Sequence, residues 1–240
     1  STTFGQWKTL ELHLKTKKDL SVNLTGDFEV TESTQDPKFS LYHALRMKEV
    51  HVNGTEVSFT QEGDNIFLND VEFIEGEVIH LEMRYSGMTP YPYFADAKAM
   101  YLPSYFNWYP VAYAGNLFRG NPFLALPQES QPVAYSVQVD TNNPVWTNVQ
   151  ESGISDTGLC VISGFVTQEV RDNLDLVYAQ TRYLEGGISF VKDTDQKLQE
   201  IADYLGEEYT PIRAVAVIPE SSQTIGYYAG LMQKNGDTAY

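Results

Sequence analysis

Short stretches of alternating apolar and polar residues make up most of the chain before residue 180. In one of them Leu10, Leu12 and Leu14 are separated by Glu11 and His13, which is the period of a β-strand with one buried face. The same alternation recurs at residues 22–30, 50–59, 78–85, 135–139, 159–166 and 174–178. The pattern predicts about eight to ten short strands, and therefore a mainly β fold built on a large antiparallel β-sandwich or saddle.

Two local signals interrupt these strands. Asn53-Gly54 stands between the alternating segments 50–52 and 57–59. This dipeptide adopts positive φ at both central positions of a turn with little strain, so it predicts a type I′ hairpin. Gly26 lies inside another alternating segment, where a glycine indicates a β-bulge.

Residues 87–132 differ in character, because prolines alternate with aromatic residues there. Proline is poorly tolerated in central strands, so this segment is predicted to be a loop that wraps the sheet. Its part from 91 to 109 is the candidate binding surface, since tyrosine and tryptophan combine a flat apolar face with a polar group. The residues expected to contact a sugar or a peptide are Tyr105, Asn107 and Trp108. The alternative is that the aromatic rings only fasten the loop to the sheet.

The periodicity changes near residue 193. Asp193 or Thr194 is predicted to cap a helix whose apolar positions, 198, 201, 202 and 205, have the spacing i, i+3, i+4, i+7. Gly206 stands where a glycine commonly ends a helix, and a buried strand is predicted at 214–218.

Two domains follow from this change of pattern. Residues 1–184 are expected to form a β-saddle domain. Residues 185–240 form a short α+β segment, the helix–strand beginning of a second domain that is expected to be incomplete. The chain starts at Ser1 without a methionine, which suggests that it was excised from a longer protein.

The charge balance narrows the range of partners. The chain has 32 acidic and 16 basic residues, for a formal net charge of -16. Such a field repels phosphate groups, which argues against binding to nucleic acid or to an anionic membrane surface. No stretch approaches the roughly 18 apolar residues of a membrane span, and no signal peptide is present. Cys160 is the single cysteine, so an internal disulfide is excluded, and its apolar surroundings predict a buried, inert thiol.

The sequence contains no complete catalytic motif. No two of its four histidines are four residues apart, and H-E-x-x-H, G-x-S-x-G and the glycine-rich phosphate loops are absent. His13, His51 and His80 fall on the polar side of predicted strands, where a solvated side chain is the default. His43 is expected to have a structural, hydrogen-bonded role. The chain alone is therefore predicted to hold no cofactor and to be inactive.

The order of several short motifs resembles the N-terminal saddle domain of the M1 family of zinc aminopeptidases. These motifs are V-x-V-N-G at 50–54, G-D-x-I at 63–66 and Y-x-G at 85–87. Residues 102–110 are similar to a variant in bacterial M1-like domains, some of which are fused to ABC-transporter permeases. The segment 201–219 resembles the start of the thermolysin-like catalytic domain.

The sequence departs from this family at the substrate site. The family's G-x-M-E-N motif, which binds the free amino terminus of the substrate, would follow Pro219, but residues 221–232 contain no glutamate. A glutamine that many members carry in the aromatic loop has no clear counterpart, and Tyr105 stands nearest. The zinc motif would be expected after Tyr240. No catalytic or metal-binding residue is therefore carried over.

The resemblance implies the N-terminal, non-catalytic portion of an M1-like metallopeptidase. The parent protein is then expected to remove N-terminal residues from peptides with zinc, unless it has lost catalysis, and to supply the remaining catalytic domain. It is also expected to be extracytoplasmic or membrane-associated, with a transporter as a partner. The alternative is an extracytoplasmic β-sandwich module that binds through residues 91–109, or a scaffold associated with a transporter.

Overall fold

The computed structural model describes residues 3–90, 93–112, 131–150, 152–178, 184–216 and 234–240. About half of these residues lie in strands, and the described part contains one helix, α1 (Leu184–Leu205), so the mainly β prediction is confirmed. In chain order the strands are β1 (Gly5–Thr16), β2 (Leu20–Val30), β3 (Lys38–Ser40), β4 (Leu45–Val52), β5 (Thr55–Glu56), β6 (Phe59–Glu62), β7 (Asn65–Leu68), β8 (Val78–Gly87), β9 (Phe94–Ala95), β10 (Met100–Leu102), β11 (Val133–Asp140), β12 (Val145–Thr147), β13 (Ser152–Ser155), β14 (Val161–Ser163), β15 (Thr167–Arg171), β16 (Leu174–Tyr178), β17 (Ala214–Ala216), β18 (Lys234–Asn235) and β19 (Thr238–Ala239).

A seven-stranded sheet with the order β13-β11-β1-β2-β8-β4-β5 is the largest element of the fold. Its neighbouring strands are antiparallel, except that β1 and β11 run parallel. Alternate side chains point into the core, as the sequence pattern predicts. The most deeply buried of them, at 0–3% exposure, include Leu10, Leu12, Leu14, Leu24, Phe28, Leu81, Met83 and Tyr85. The opposite face carries polar and charged side chains.

The predicted turn is present, but the second strand of the hairpin is β5 (Thr55–Glu56), and Phe59 begins β6 in another sheet. Asn53 and Gly54 have φ values of 49° and 83°, the conformation of a type I′ turn. Asn53 also connects the turn to β8, because its Oδ1 accepts a hydrogen bond of 2.9 Å from the backbone N–H of His80. The motif that marks the hairpin in the sequence therefore also fixes its position on the sheet.

The bulge predicted at Gly26 lies in the partner strand instead. The register of β1 against β2 shifts between Trp7 and Thr9. A Cβ atom on Gly26 would lie 2.4 Å from the carbonyl oxygen of Thr9 and 3.0 Å from the Trp7 ring. Glycine is thus required here by the close approach of the indole and the neighbouring backbone, which the sequence alone does not reveal.

Three smaller sheets pack with the large one. Two are antiparallel, with the orders β3-β7-β6 and β12-β14-β10-β9, and one is a mixed five-stranded sheet with the order β15-β16-β17-β19-β18. A continuous core of buried side chains joins the large sheet, the two small antiparallel sheets and one face of the five-stranded sheet. A second, smaller core lies between the other face of the five-stranded sheet and α1.

Residues 93–112 contain more regular structure than the sequence predicts. The strands β9 and β10 pair with each other, and β10 also pairs with β14. Pro103 comes directly after β10, so this proline ends a strand rather than excluding it. Residues 91–92 and 113–130, which also belong to the predicted loop, lie outside the described residues.

The helix α1 begins at Leu184, and the predicted caps Asp193 and Thr194 lie inside it. Gly186 and Gly187 each disfavour a helix by about 1 kcal/mol, which hides its start in the sequence. Packing against the five-stranded sheet offsets that cost, because tertiary burial rather than propensity stabilises most protein helices. The buried side chains of its first half are Leu184, Ile188 and Val191.

The end of α1 agrees with the prediction. Gly206 follows the last helical residue with φ of 71°, the left-handed conformation in which glycine is preferred. The strand predicted at 214–218 is present as β17, and residues 217–218 lie outside the described part. No helix among the described residues has the length and the apolar character needed to cross a membrane.

The five-stranded sheet spans the predicted domain boundary. The strands β16 and β17 are parallel, and α1 is the crossover connection between them. The boundary at residue 184 coincides with the first residue of α1, while the sheet takes β15 and β16 from before it and β17, β18 and β19 from after it. The division into 1–184 and 185–240 stays a prediction.

Candidate functional site

The aromatic segment 93–112 is held on the large sheet by buried side chains that satisfy its backbone carbonyls. Tyr85 Oη donates to the carbonyl oxygen of Trp108 at 3.0 Å, and Trp7 Nε1 donates to that of Pro110 at 2.8 Å. Trp108 is 0% exposed, and its own Nε1 donates to the carbonyl oxygen of Leu159 at 3.2 Å. Such partners allow an irregular backbone to be buried. Trp108 therefore lies in the core, with no face open to solvent.

Asn107 is buried beside Trp108, at 4% exposure. Its backbone carbonyl accepts a hydrogen bond of 3.1 Å from the N–H of Tyr42. Its side-chain amide has no hydrogen-bond partner for either Oδ1 or Nδ2 within the part of the chain that the structure describes. A buried amide without partners is costly, so Asn107 is the most unusual polar side chain of this segment.

Replacing Asn107 by leucine is expected to leave the free energy of unfolding unchanged or to raise it by about 1 kcal/mol, because the unpartnered amide costs about 1–3 kcal/mol. Urea unfolding of the variant measures this change. Asn148 is the matched control, since its Nδ2 donates to Gly158 O at 3.0 Å and its Oδ1 accepts from Cys160 N–H at 2.8 Å. Asn148→Leu is expected to cost about 2 kcal/mol. An equal loss in both variants would mean that Asn107 has a bound partner, such as a water molecule or a ligand.

Tyr105 is the predicted site residue that remains half-buried. It belongs to a tyrosine cluster, which we define as Tyr93, Tyr101, Tyr105 and Tyr240. The ring of Tyr105 lies 5.3 Å from that of Tyr240 and 5.9 Å from that of Tyr93, both edge to face. The hydroxyl groups of Tyr101 and Tyr105 are 3.4 Å apart. Tyr240 directly follows β19, so the cluster connects the aromatic segment to the five-stranded sheet.

Burial keeps three hydroxyl groups of the tyrosine cluster, those of Tyr101, Tyr105 and Tyr240, in the neutral form. Desolvation by burial raises the pKa of Tyr105 and raises those of Tyr101 and Tyr240 well above the usual value for a phenol. The hydroxyl groups of Tyr240 and Ser104 lie 2.9 Å apart, within hydrogen-bonding distance. The cluster can therefore offer aromatic edges and neutral hydroxyl groups to a ligand.

Cys160 lies against this cluster and is 0% exposed. Burial raises the pKa of its thiol to about 12, and a hydrogen bond with Tyr240 opposes this increase only in part. The thiolate is the nucleophilic form of cysteine, and it is essentially absent at neutral pH here. The prediction that this thiol is buried is confirmed, and the raised pKa agrees with an inert side chain.

The four histidines lie on the surface, and each faces a carboxylate. His13 contacts Asp140 at 2.9 Å, His43 contacts Asp64 at 2.9 Å, His51 contacts Glu49 at 3.5 Å and His80 contacts Asp27 at 3.0 Å. The structural role expected for His43 is confirmed, because Asp64 Oδ1 also accepts from its backbone N–H at 2.7 Å. Asp64, which follows the turn residue Gly63, therefore has a structural role through its two hydrogen bonds with His43.

The described residues do not fit a zinc ion. Among them, no group of three or more histidine, cysteine, aspartate or glutamate side chains converges on a point where a metal could bind. Structural and catalytic zinc sites need at least three such ligands.

A groove of about 460 Å³ lies between the β15–β16 turn, α1 and the start of β17. Three of its charged groups already have partners: Lys192 Nζ contacts Asp172 at 2.6 Å, and Asp195 accepts a hydrogen bond from the hydroxyl of Tyr209 at 2.5 Å. The fourth, Arg213, is exposed at the edge of the groove. The groove lies at the amino ends of β16 and β17, whereas ligands of open α/β sheets bind beyond the carboxyl ends. We therefore place the candidate site at the tyrosine cluster and not in this groove.

The amino-acid sequence predicts part of this site. The structure brings Tyr105, Asn107 and Trp108 together, and it places only Tyr105 at a partly open surface. Tyr240 was not predicted, although it contacts two members of the cluster. A sequence signal for it was absent, because 135 residues separate it from Tyr105 and only the tertiary fold brings them together. Binding by these residues stays a prediction.

The chain has a β-rich fold with an attached α+β unit, and solved structures with a similar fold are known. The chain is similar to the M1 zinc metallopeptidase of Deinococcus radiodurans, with a TM-score of 0.60 and 13% identity over 99% of this chain and 60% of that one. A mutant of that enzyme bound to a Tyr-Ser-Ala substrate gives a TM-score of 0.59 and 15% identity, over 98% of this chain and 60% of that one. Native leukotriene A4 hydrolase of Saccharomyces cerevisiae gives a TM-score of 0.56 and 12% identity, over 99% of this chain and 41% of that one.

These similarities concern the fold. No protein-family model matches the sequence, and no curated protein matches it either. The fold is that of the N-terminal part of M1 metallopeptidases, and the chain spans 60% or less of the length of the structures named above. The resemblance of the sequence to an M1 N-terminal domain is thereby supported at the level of the fold.

Proposed function

We propose that this chain is the N-terminal, non-catalytic portion of an M1-like metallopeptidase. The observation that carries the proposal is that M1 metallopeptidase folds match 98–99% of the chain, although the identity is only 12–15%. A match of this extent includes both the large sheet and the five-stranded sheet with α1.

In this proposal the chain supports a zinc-binding domain that it does not itself contain. The ligands of the zinc ion would belong to the remainder of the parent protein, since the described residues here do not fit a metal. The substrate class would be peptides, as for the Deinococcus radiodurans enzyme with its bound Tyr-Ser-Ala. When bound, zinc would supply polarisation of the peptide carbonyl and activation of water.

The chain itself would contribute a rigid aromatic surface where the aromatic segment meets the five-stranded sheet. The tyrosine cluster is the partly open surface at this junction, and its rings restrict one another through edge-to-face contacts of 5.3–5.9 Å. The narrower assignment to the transporter-associated bacterial branch rests on the resemblance of residues 102–110 alone. The proposed association with a membrane transporter has the same basis.

The test is to express the longest open reading frame that contains these residues and to measure its zinc content and its release of the first residue from Tyr-Ser-Ala. We expect about one zinc per chain and a chelator-sensitive activity for that product, and neither for the 240-residue chain alone. A reading frame without further zinc ligands, or hydrolysis by the 240-residue chain itself, would overturn the proposal.

A further inference from the structure

The turn between β4 and β5 contains one of the two Asn-Gly dipeptides of the chain, Asn53-Gly54. The other is Asn235-Gly236, at the turn between β18 and β19. An asparagine before a glycine is chemically labile, because glycine has no side chain to hinder the attack of its backbone nitrogen on the asparagine amide. The product of that attack is a five-membered succinimide ring. The surroundings of each dipeptide decide whether it can react in the folded protein.

The peptide group that joins Asn53 to Gly54 must rotate for this ring to close. Within the described residues, neither the carbonyl oxygen of Asn53 nor the N–H of Gly54 forms a backbone hydrogen bond. Both residues are exposed, and no atom beyond the chain neighbours lies within 4 Å of a Cβ built on Gly54. Rotation of this peptide group therefore breaks no hydrogen bond of its own and displaces no packed side chain.

The rest of the hairpin offers little resistance to this rotation. The strand β5 has two exposed residues, lies at the edge of the large sheet and pairs with β4 alone. Short edge strands open locally at low free energy. The hydrogen bond of 2.9 Å that Asn53 Oδ1 accepts from the N–H of His80 can persist, because this oxygen stays on the ring. The same bond polarises the amide carbonyl and stabilises the negative charge that develops on its oxygen during the attack.

The second dipeptide is held more firmly. A Cβ built on Gly236 would lie 2.6 Å from the side chain of Thr157, so this turn is packed against another segment. The carbonyl oxygen of the next residue, Asp237, accepts from the N–H groups of Arg213 at 2.7 Å and Ala214 at 3.1 Å. Opening this turn disrupts packing and backbone hydrogen bonds together, and both are expensive to lose.

We propose that Asn53 is a site of spontaneous deamidation in the folded protein, and that the fold protects Asn235 from the same reaction. Hydroxide removes the proton of the Gly54 nitrogen, which then attacks Cγ of Asn53. The new C–N bond closes the succinimide, the Cγ–Nδ2 bond breaks, and ammonia leaves. Water then opens the ring at either carbonyl and gives aspartate or isoaspartate. No enzyme or cofactor takes part in these steps.

The modification changes the hairpin. Isoaspartate lengthens the main chain of a two-residue turn by one carbon atom, and the register of a hairpin depends on the length of its loop. The pairing of β5 with β4 is then lost at the edge of the sheet. Either product also adds a negative charge to a chain whose net charge is already -16. This site goes beyond the proposed function and does not depend on it.

The experiment is to incubate the purified 240-residue chain at mildly alkaline pH and to follow both sites by peptide mapping with mass spectrometry. Trypsin separates them, because it cuts after Lys48 and Arg84 around the first and after Lys234 directly before the second. We expect Asn53 to deamidate at least about tenfold faster than Asn235, a difference of about 1.4 kcal/mol in activation free energy. An isoaspartate-specific methyltransferase with a labelled methyl donor detects the isoaspartate product.

Two comparisons identify the cause. In concentrated urea the difference between the sites is expected to disappear, because the fold no longer distinguishes two identical dipeptides. The variant Asn53→Gln should lose the fast product, since glutamine closes a six-membered ring slowly, and the matched Asn235→Gln should leave the rate at Asn53 unchanged. Equal rates at both sites in the folded chain, or reaction of Asn53 only in urea, would overturn the inference. Neither result bears on the zinc content of the longer gene product, so the test of the proposed function stays separate.

Discussion

Trp108→Ala is expected to lower the free energy of unfolding by about 3–5 kcal/mol, because truncating a fully buried tryptophan removes its transfer free energy and leaves a cavity. Trp108 is 0% exposed, and its Nε1 and its carbonyl oxygen both form hydrogen bonds to other segments of the core. Urea unfolding followed by circular dichroism measures the loss. The half-buried neighbour Tyr105 is the control, and Tyr105→Ala is expected to cost about 1–2 kcal/mol.

The same tryptophan separates the two interpretations of the aromatic segment. A side chain without an exposed face cannot stack on a sugar or a peptide, so titration with oligosaccharides or short peptides is expected to leave the fluorescence of Trp108 unchanged. A Trp108→Ala variant as stable as the unchanged chain, or saturable quenching of Trp108 by a ligand, would favour a binding surface. The contacts of Trp108 with Leu159 and Tyr85 instead favour fastening of the segment to the sheet.

Gly87→Ala is expected to cost about 4 kcal/mol or more, an effect of the size seen when a substitution creates severe strain in a core. Gly87 has φ of 154°, and a Cβ atom there would lie 1.8 Å from the carbonyl oxygen of Ala44. The contact is with backbone, so no side chain can move away to relieve it. Gly87 also pairs with Leu20 and Leu45 on both neighbouring strands, which prevents a local shift. Thermal unfolding of the purified variant measures the change.

Gly54→Ala is the matched control for this prediction. Gly54 has φ of 83°, but no atom lies within 4 Å of the position of an added Cβ. Its substitution should therefore cost only the strain of the left-handed backbone, about 1–2 kcal/mol. If Gly87→Ala were no more destabilising than Gly54→Ala, that result would contradict the close packing of Gly87 against the Ala44 backbone.

Together these residues give a physical meaning to the motifs that resemble the M1 family. Asn53-Gly54 forms the hairpin and connects it to β8, Asp64 holds His43, and Gly87 allows the close approach of two strands. Each of these roles is structural. The similarity of the sequence is thus a similarity of folding requirements, which is consistent with a supporting role for this part of the proposed metallopeptidase.

The candidate site was predictable only in part. The composition of residues 91–109 indicates an aromatic segment, and Tyr105 can be selected from it. The burial of Trp108 and Asn107 depends on β8 and on Leu159, which are distant in sequence, so no local pattern distinguishes them from an exposed platform. Tyr240 joins the cluster for the same reason.

The sequence by itself determines most strands of the large sheet, the Asn53-Gly54 turn, the Gly206 helix end and the strongly acidic charge, because each depends on local periodicity, backbone conformation or composition. Only the tertiary structure decides where α1 begins, since burial of Leu184, Ile188 and Val191 offsets the cost of two adjacent glycines. It also decides that β15 and β16 join the strands after α1, because pairing between distant segments depends on packing of the whole chain.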